Sequence, residues 1–232
     1  VTGHTGLKGG WLIFWLQKMG AEVCGYARAP LPGLSLYRCI RGEELCQSHL
    51  GDVADFGRLK EAFDAFRPEI VIHLAAQAIV REGYHAPRDT YLTNLMGTVN
   101  LLECVRLSPA VRSVLNVTTD KVYKNREWEW GYRETDALDG YDPYSNSKSC
   151  SELATHSYRN SFLNQRGVAV STARAGNVIG GGDFAADRIL PDCLRAAAAG
   201  EDIVLRNPYS VRPYQHVLEP LYPYPLIAAT QY

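Results

Sequence analysis

The chain has 232 residues, of which 46% are hydrophobic and 21% are charged, so it can bury the core of one sizeable domain or of a large domain plus part of a second. Its formal net charge is −1, with acidic and basic residues interspersed, which argues against a nucleic-acid partner or an anionic membrane surface. No apolar run approaches the roughly 20 residues of a membrane span, and no signal-peptide pattern is present. A cytoplasmic protein is expected.

Six cysteines, at positions 24, 39, 46, 104, 150 and 193, are scattered without a C-x-x-C pair or a cluster with histidines. Most of them are predicted to be buried, reduced thiols, and no metal site is expected. The chain begins at Val1 directly before a motif and ends in an apolar segment without a helix-stop signal. Both ends are therefore expected to continue in a longer protein.

A glycine-rich turn opens the chain. Gly3, Gly6 and Gly9 follow one another at three-residue spacing, and the apolar residues 11–16 suit a buried helix. Glycines let the backbone pass close to a pyrophosphate, and the N-terminus of a helix presents free N–H groups and a positive dipole end. The spacing alone is equally compatible with a dinucleotide site and with an ordinary turn before a helix.

The strand predicted over residues 22–27 completes a β-α-β unit and should select the cofactor. An acid at its end would bind the ribose 2′-hydroxyl of NAD, but the end offers none, and Arg28 could meet the 2′-phosphate of NADP. NAD and NADP both stay open. A short third strand is predicted to end at Gly51-Asp52, where Asp52 either binds the adenine amino group or forms a turn.

The next elements continue the alternation. A helix is predicted over residues 56–66 and a parallel strand, covered on both faces, over residues 70–74. His73 lies inside this apolar run and is expected to be a hydrogen-bonded core histidine. Ala75 and Ala76 follow, and such small residues let a dinucleotide lie over a strand end.

A further helix is predicted over residues 89–106. Its inward-facing residues are predicted to be Leu92, Leu95, Met96, Val99 and Leu102. Asn94 is polar within this pattern. It is either an exposed helix residue or one that binds the backbone near the active site and holds a water in a proton relay.

The central stretch of the sequence is an apolar strand, residues 113–118, that ends in Thr119-Asp120-Lys121 and precedes Tyr144 and Lys148. Tyr144 and Lys148 are one helical turn apart, which places an ammonium beneath a phenol and stabilises the phenolate as a general base. The Thr119 hydroxyl can share the proton of a substrate hydroxyl with it. Tyr and Lys are common on helix surfaces, so this pair alone is weak evidence of a catalytic site. The glycine-rich turn at the start of the chain strengthens that interpretation.

Several later segments suit ligand binding. The loop over residues 124–134 is dense in aromatic and charged residues and is predicted to cover a substrate, and the glycine-rich loop over residues 175–184, after a strand at 168–174, is suited to closing on one. Arg206 and Arg212 lie in a proline-broken stretch and are read either as a clamp for a substrate pyrophosphate or as solvated surface.

Strands that alternate with helices throughout predict an α/β fold, a Rossmann-like doubly wound parallel sheet with ligands at the carboxyl ends of the strands. Residues 1–174 are predicted to form a dinucleotide-binding domain with a truncated first strand. Residues 175–232 are predicted to form a partial substrate-binding region that is incomplete at its C-terminus. After Pro220, two prolines two residues apart are expected to break the helix.

With T-G-x-x-G-x-x-G over residues 2–9, Asn94, Thr119 and Y-x-x-x-K over residues 144–148, the chain resembles the extended short-chain dehydrogenase/reductase family. Longer strings at 116–121, 125–134, 140–145, 173–183 and 212–217 are similar, within that family, to the nucleotide-sugar 4,6-dehydratases that act on CDP-glucose. These strings are far more specific than the generic motif.

The resemblance implies an internal redox cycle on a nucleotide-bound hexose with NAD as cofactor. Tyr144, helped by Thr119 and Lys148, would take the proton of the sugar 4-hydroxyl as carbon 4 is oxidised. Lys121 would remove the proton on carbon 5, and Asp120 would protonate the departing 6-hydroxyl. The competing interpretation is that Asp120 and Lys121 only pair with each other at the surface.

The resemblance also implies binding residues and an assembly. The cofactor residues would be Gly3, Thr5, Gly6, Gly9, Asp52, Ala75, Ala76, Asn94, Tyr144 and Lys148. The substrate residues would be Asn177, Arg188, Arg206, Arg212 and His216. A homodimer or dimer of dimers would form through the helices at 89–106 and 143–164. A nucleotide-sugar 4-epimerase and a non-catalytic dinucleotide-binding module remain as alternatives.

Overall fold

Five short parallel strands form the centre of the computed structural model, which describes residues 1–232. Strand β1 pairs with β2, and β3 pairs with β4, which pairs with β5. Thr2 bridges Tyr26 of β1 and His73 of β3, so the order across the sheet is β2, β1, Thr2, β3, β4, β5. The strands are β1 (Cys24–Ala27), β2 (Gln47–Leu50), β3 (Ile70–His73), β4 (Ser113–Val117) and β5 (Ala169–Ala173).

Helices cover both faces of this sheet. They are α1 (Leu7–Lys18), α2 (Leu36–Cys39), α3 (Phe56–Phe66), α4 (Val80–His85), α5 (Pro87–Tyr91), α6 (Gly97–Leu107), α7 (Pro143–Tyr158), α8 (Ile189–Ala199), α9 (Leu218–Leu221) and α10 (Pro223–Thr230). Neighbouring residues of a strand face opposite sides, so Val114 packs with α3 and α6 while Leu115 packs with α1, α9 and α10. The predicted doubly wound fold is confirmed.

Local signals in the sequence explain where two of the helices begin. The Asp55 carboxylate accepts a hydrogen bond from Arg58 N at 3.2 Å and caps α3, and the Asp142 carboxylate accepts one from Ser145 N at 3.0 Å and caps α7. Pro143 occupies the first turn of α7, where no backbone N–H is needed. The predicted helix over residues 56–66 is confirmed with the same bounds.

The helix predicted over residues 89–106 is interrupted, and its predicted inward face is wrong. A π-helical turn, Leu92–Met96, separates α5 from α6. Within this wider turn Met96 is exposed and Leu92 and Leu95 are only partly buried, and Val99, which follows it, is also only partly buried. The turn departs from the 3.6-residue period on which the prediction of one inward face depends. Of the predicted set, Leu102 alone is fully buried, and the residues that face the core with it are Thr98, Leu101, Cys104 and Val105.

The C-terminal segment returns to the sheet. A small sheet of β6 (Asn177–Ile179) and β7 (Tyr214–His216) precedes it. Leu221 and Tyr224 then pack against Leu115 of β4. Helices α9 and α10 are separate because Pro223 starts a new helix, as the paired prolines predict. The division at residues 174 and 175 stays a prediction.

All six cysteines are free thiols, but the prediction that most of them are buried is wrong. Only Cys104 is buried, and Cys39 is exposed. No group of three or more His, Cys, Asp or Glu side chains lies close enough together to hold a metal ion. None of the helices combines the length and apolar character that crossing a bilayer requires.

Candidate active site

The glycine turn has the geometry of a close backbone approach. Gly3 has a φ of +74°, and a Cβ there would lie 2.8 Å from the backbone N of Ala75, while a Cβ on Gly9 would lie 2.1 Å from Gly3 O. Gly6 precedes α1 and leaves its N-terminus without a side-chain cap. The first N–H groups of α1 are therefore free to bind an anion. These residues fit the diphosphate of a dinucleotide.

Other predicted cofactor residues lie around this turn. Thr5 Oγ1 donates to Arg28 O at 2.9 Å, and Ala75 N donates to Thr2 Oγ1 at 3.1 Å. Ala76 is half-buried in the loop after β3. Asp52 Oδ1 accepts from Ala54 N at 2.9 Å, so one of its carboxylate oxygens forms a turn, and its role toward adenine stays a prediction.

Asn94 is buried and not an exposed helix residue. Its Oδ1 accepts from Gln77 N at 2.8 Å, and its Nδ2 donates to Gln77 O at 3.0 Å and to Ser147 Oγ at 2.9 Å. The π turn that carries Asn94 is thereby tied both to the loop after β3 and to α7. Its predicted role with a water is not tested by these contacts.

Four of the predicted catalytic residues line one cavity of about 1060 Å³: Thr119, Asp120, Lys121 and Tyr144. The first three of them lie just beyond the carboxyl end of β4, because Thr119 caps a 3₁₀ turn, Asp120–Val122, that begins three residues after Val117. Thr119 Oγ1 donates to Asp120 Oδ1 at 3.0 Å. The Asp120 carboxylate is thus hydrogen-bonded to Thr119 and not to Lys121. Asp120 and Lys121 are both half-buried at the cavity wall.

Lys148 is buried beneath this wall and donates from Nζ to Val117 O at 3.0 Å. Burial, aided by the positive charge of Lys8, lowers the pKa of Lys148 to about 7. Burial raises the pKa of the Tyr144 phenol, whereas the Thr119 hydroxyl and the charge of Arg188 act in the opposite direction. The ammonium is bonded to the strand end here, one helical turn from the phenol that it is predicted to assist.

Lys8 is a residue of this cavity that the sequence analysis missed. It lies in the first turn of α1 and lines the cavity together with Asp120 and Tyr144. Burial, followed by the charge of Arg188, lowers its pKa to about 8. A cation is unfavourable at the positive end of a helix dipole. A lysine between Gly6 and Gly9 is therefore unexpected for stability alone, and this could have identified Lys8 as a candidate site residue from the sequence.

A Lys8→Met enzyme should shift the basic limb of the pH dependence of kcat/KM to higher pH. The Lys8 charge depresses the pKa of Lys148, and its removal lets Lys148 keep its proton further into the alkaline range. The measurement is kcat/KM of the full-length protein for the nucleotide-bound hexose that the resemblance implies, as a function of pH. Lys18→Met, at the far end of the same helix, is the control. An unmoved limb in Lys8→Met would contradict the prediction.

Four of the predicted substrate residues, Asn177, Arg188, Arg206 and Arg212, line the same cavity. Arg188 Nη1 lies 3.3 Å from Asp183 Oδ2. His216 is not among the lining residues. It is exposed on β7, where its Nδ1 accepts from Leu218 N at 3.4 Å, and its role stays a prediction.

The arginine side of the cavity includes a residue that sequence reasoning did not find. Arg81 lies 2.9 Å from Asp187 Oδ1, and Arg206 lies 2.8 Å from the same oxygen. Both guanidinium groups are thus paired with Asp187, and Arg206 Nη2 also lies 3.8 Å from Asp192 Oδ2.

The aromatic loop over residues 124–134 contributes no lining residue to the cavity. Trp130 is 75% exposed, and Tyr132 stacks on Tyr123 with ring centroids 4.9 Å apart. The loop therefore lies beside the turn Asp120–Val122, called the acid–base turn here for its predicted role, and the loop's own role as a cover for substrate stays a prediction.

A family model and a curated relative both match nearly the whole chain. A family model described as GDP-mannose 4,6 dehydratase matches residues 1–224. A Salmonella typhimurium protein named CDP-glucose 4,6-dehydratase is 52% identical over 237 residues, which cover 100% of this chain and 66% of that protein. The chain thus spans slightly less than two thirds of the length of this relative.

Solved structures share the fold. A dTDP-glucose 4,6-dehydratase from Streptomyces venezuelae, solved with NAD bound, has a TM-score of 0.86 at 22% identity and covers 98% of this chain and 70% of its own. A UDP-glucose 4-epimerase from Thermotoga maritima has a TM-score of 0.85 at 21% identity and covers 97% of this chain and 71% of its own. Since the family model extends over residues 1–224, the chain belongs to the GDP-mannose 4,6 dehydratase family.

Proposed function

We propose that the full-length protein is a nucleotide-sugar 4,6-dehydratase that converts CDP-D-glucose to CDP-4-keto-6-deoxy-D-glucose. The observation that carries this proposal is the presence of Asp120 and Lys121 beside Thr119 and Tyr144 in one cavity wall. Elimination of water needs an acid and a base next to the group that oxidises carbon 4. The choice of CDP-glucose is supported by the Salmonella typhimurium relative.

The residues divide the reaction between them. Tyr144 accepts the proton of the 4-hydroxyl, with the Thr119 hydroxyl in its hydrogen-bond path and Lys148 stabilising the phenolate. The resulting ketone acidifies the proton on carbon 5, which Lys121 removes, while Asp120 protonates the 6-hydroxyl so that it leaves as water. NAD, held by Gly3, Gly6, Ala75 and Lys148, would supply the reversible hydride chemistry that links carbon 4 to carbon 6. Lys121 then restores the proton on carbon 5.

NAD is proposed as the cofactor over NADP. The free N-terminus of α1 and the Gly3 approach to Ala75 suit the diphosphate that both cofactors share. The Streptomyces venezuelae neighbour was solved with NAD, and its likeness supports this choice. Gly3, Gly6, Ala75 and Lys148 are the residues of this chain that would hold it.

A homodimer or dimer of dimers in the cytoplasm is proposed as the assembly. Met96, Leu153 and Phe162 are exposed, and they lie in the π-helical turn before α6, in α7 and in the π-helical turn after α7. Large exposed apolar side chains favour burial in an interface, and the elements that carry these three pack against one another. This surface corresponds to the helices at 89–106 and 143–164.

Two other functions are compared with this one. A 4-epimerase would use Thr119, Tyr144 and Lys148 but needs no acid–base pair at positions 120 and 121. A UDP-glucose 4-epimerase shares this fold, so the experiment below is designed to distinguish the two activities. A non-catalytic dinucleotide-binding module would keep Lys148 as a cofactor contact but would need neither Asp120 and Lys121 nor a proton acceptor for the 4-hydroxyl.

The test is to incubate the full-length protein with CDP-glucose in deuterated water. The expected product is a 4-keto-6-deoxy sugar that carries deuterium on carbon 5, detected by NMR. An inverted 4-hydroxyl without a ketone would assign the chain to the epimerases. Bound NAD without turnover would leave the non-catalytic module.

A further inference from the structure

Helix α7 carries a buried carboxylate, Glu152, on the same face as Tyr144 and Lys148. Glu152 follows Lys148 by one helical turn and is only 4% exposed. Its two carboxylate oxygens accept from Arg174, with Arg174 Nε at 2.8 Å from Oε1 and Nη2 at 2.5 Å from Oε2. The pair joins α7 to the end of β5, because Arg174 directly follows that strand.

This pair contacts the acid–base turn from both sides. Thr118 Oγ1, one residue before Thr119, donates to Glu152 Oε1 at 2.5 Å. The Arg174 guanidinium lies over the ring of Tyr123, two residues after Lys121, at 4.7 Å from the ring centroid. Asp120 and Lys121 are thus held between two points that both lead to Glu152.

The contacts extend into the aromatic loop. Arg174 Nη1 donates to Glu134 O at 3.2 Å, and the Tyr123 ring stacks on Tyr132. A single guanidinium therefore meets a carboxylate, an aromatic face and a backbone carbonyl. Arginine satisfies such a set because it is planar and carries five N–H donors, whereas lysine presents a point charge.

We propose that Glu152 and Arg174 are positioning residues that fix the turn bearing Asp120 and Lys121 at a set distance from the helix bearing Tyr144 and Lys148. This inference rests on the proposed dehydratase function. Neither residue lines the cavity, so both would act through Thr118 and Tyr123. Their task would be to keep oxidation at carbon 4 and elimination across carbons 5 and 6 in register on one bound sugar.

The chemistry makes this distance important. Oxidation at carbon 4 depends on residues fixed to α7, whereas elimination depends on groups carried by a short turn. A misplacement of about 1 Å can slow a reaction by about 10²-fold. Loosening the turn should therefore slow elimination while oxidation continues, and bound cofactor should accumulate in its reduced form during turnover.

Two conservative variants of the full-length enzyme test the proposal. Glu152→Gln keeps the shape of the side chain and removes its charge, and Arg174→Lys keeps the charge and removes the planar fork. Glu103→Gln is the matched control, because Glu103 also binds an arginine through both oxygens, with Arg106 at 2.8 and 2.6 Å, away from the cavity. Thermal midpoints of all three variants establish that they fold.

The first readout needs no ligand. Amide hydrogen exchange over residues 118–124 should be about tenfold faster in Glu152→Gln and Arg174→Lys than in wild type or Glu103→Gln. The second readout is absorbance of the reduced nicotinamide during turnover of CDP-glucose. Both variants should release ketone about 10²-fold more slowly and accumulate reduced cofactor that wild type does not.

Unchanged exchange over residues 118–124, or slower turnover without reduced cofactor, would overturn the positioning role. The same loss of activity in Glu103→Gln would do so as well, because it would reflect general destabilisation. A wild-type enzyme that forms no keto sugar would instead overturn the proposed dehydratase function, and the exchange measurement would still decide whether the pair holds the turn.

Discussion

The Asp120→Asn enzyme should lose about 10²- to 10⁴-fold in the rate at which it forms the keto sugar, because an amide cannot protonate the departing 6-hydroxyl. The substitution preserves shape, and its Oδ1 can still accept the hydrogen bond that Thr119 donates at 3.0 Å. Oxidation at carbon 4 should survive, since Tyr144 and Lys148 lie on another element. The measurement is a single-turnover assay of ketone and of reduced cofactor in the full-length protein.

Lys121→Met should lower the rate of keto sugar formation by a similar factor, but at a different step of the reaction. Without the base, the proton on carbon 5 should stay in place, so the sugar recovered from deuterated water should carry no deuterium there. Asp120→Asn should still allow that exchange, because Lys121 is intact. The two variants together therefore separate removal of the carbon 5 proton from departure of the hydroxyl.

Lys124→Met provides the matched control for charge. Lys124 lies three residues beyond Lys121, is more than half exposed and pairs with Asp139 at 3.5 Å. Such an exposed pair contributes little, so the variant should form product at the wild-type rate. Keto sugar formation at the wild-type rate in both Asp120→Asn and Lys121→Met would remove the acid–base pair from the mechanism and favour other residues of the cavity.

The parts of the fold that were predictable from sequence depend on contacts close in the chain. Helix α3 has its cap at Asp55 and its stop before Pro68, so its bounds are encoded within a few residues. The position of the turn that bears Asp120 and Lys121 was predictable for a related reason. Parallel strands end at one edge of the sheet, and Thr119 lies two residues beyond the end of such a strand.

The remaining features depend on contacts between distant parts of the chain. The π turn at Leu92–Met96 adds a residue to one helical turn, and its Asn94 is held by Gln77 and Ser147, which no periodicity in the helix itself records. The prediction of the inward face failed because it assumed a constant 3.6-residue period.

The positioning pair was hidden in the same way. Glu152 and Arg174 are separated by 22 residues, and each alone has the pattern of an ordinary charged surface residue. Only the packing of α7 beside β5 brings them together with Thr118. Charged groups of this kind become recognisable once their burial is known, since a buried carboxylate requires partners.

A buried histidine at the centre of the sheet should make the fold sensitive to acid. Thr2 Oγ1 accepts the N–H groups of Leu74 and Ala75, each at 3.1 Å, so its own proton is free for His73 Nδ1 at 2.7 Å. His73 Nε2 must then carry the ring proton and donate to Thr98 Oγ1 at 3.2 Å. Both nitrogens are satisfied only in the neutral ring, and the expected core histidine is confirmed.

Acid should therefore destabilise the fold through His73. Burial, followed by the charge of Lys148, lowers the pKa of His73 from 6.5 to about 3. The unfolded chain binds this proton below pH 6.5 and the folded chain does not, so the stabilisation is complete above pH 6.5 and declines as pH falls toward 3. The slope approaches about 1.4 kcal/mol per pH unit, and the full loss is on the order of 5 kcal/mol.

The measurement is urea unfolding of wild type and His73→Gln between about pH 5 and 7, a range above the usual pKa of carboxylates. The variant keeps a donor and an acceptor but cannot ionise, so its free energy of unfolding should fall less steeply with acid, by about 1.4 kcal/mol per unit near pH 5.

Some slope should remain, because burial also lowers the pKa of His4 to about 4. Tyr224→Phe, which removes a buried hydroxyl without a partner, should keep the wild-type slope. Equal slopes in wild type and His73→Gln would mean that the ring is protonated in the folded protein, and the hydrogen bond from Thr2 to Nδ1 would then have to reverse.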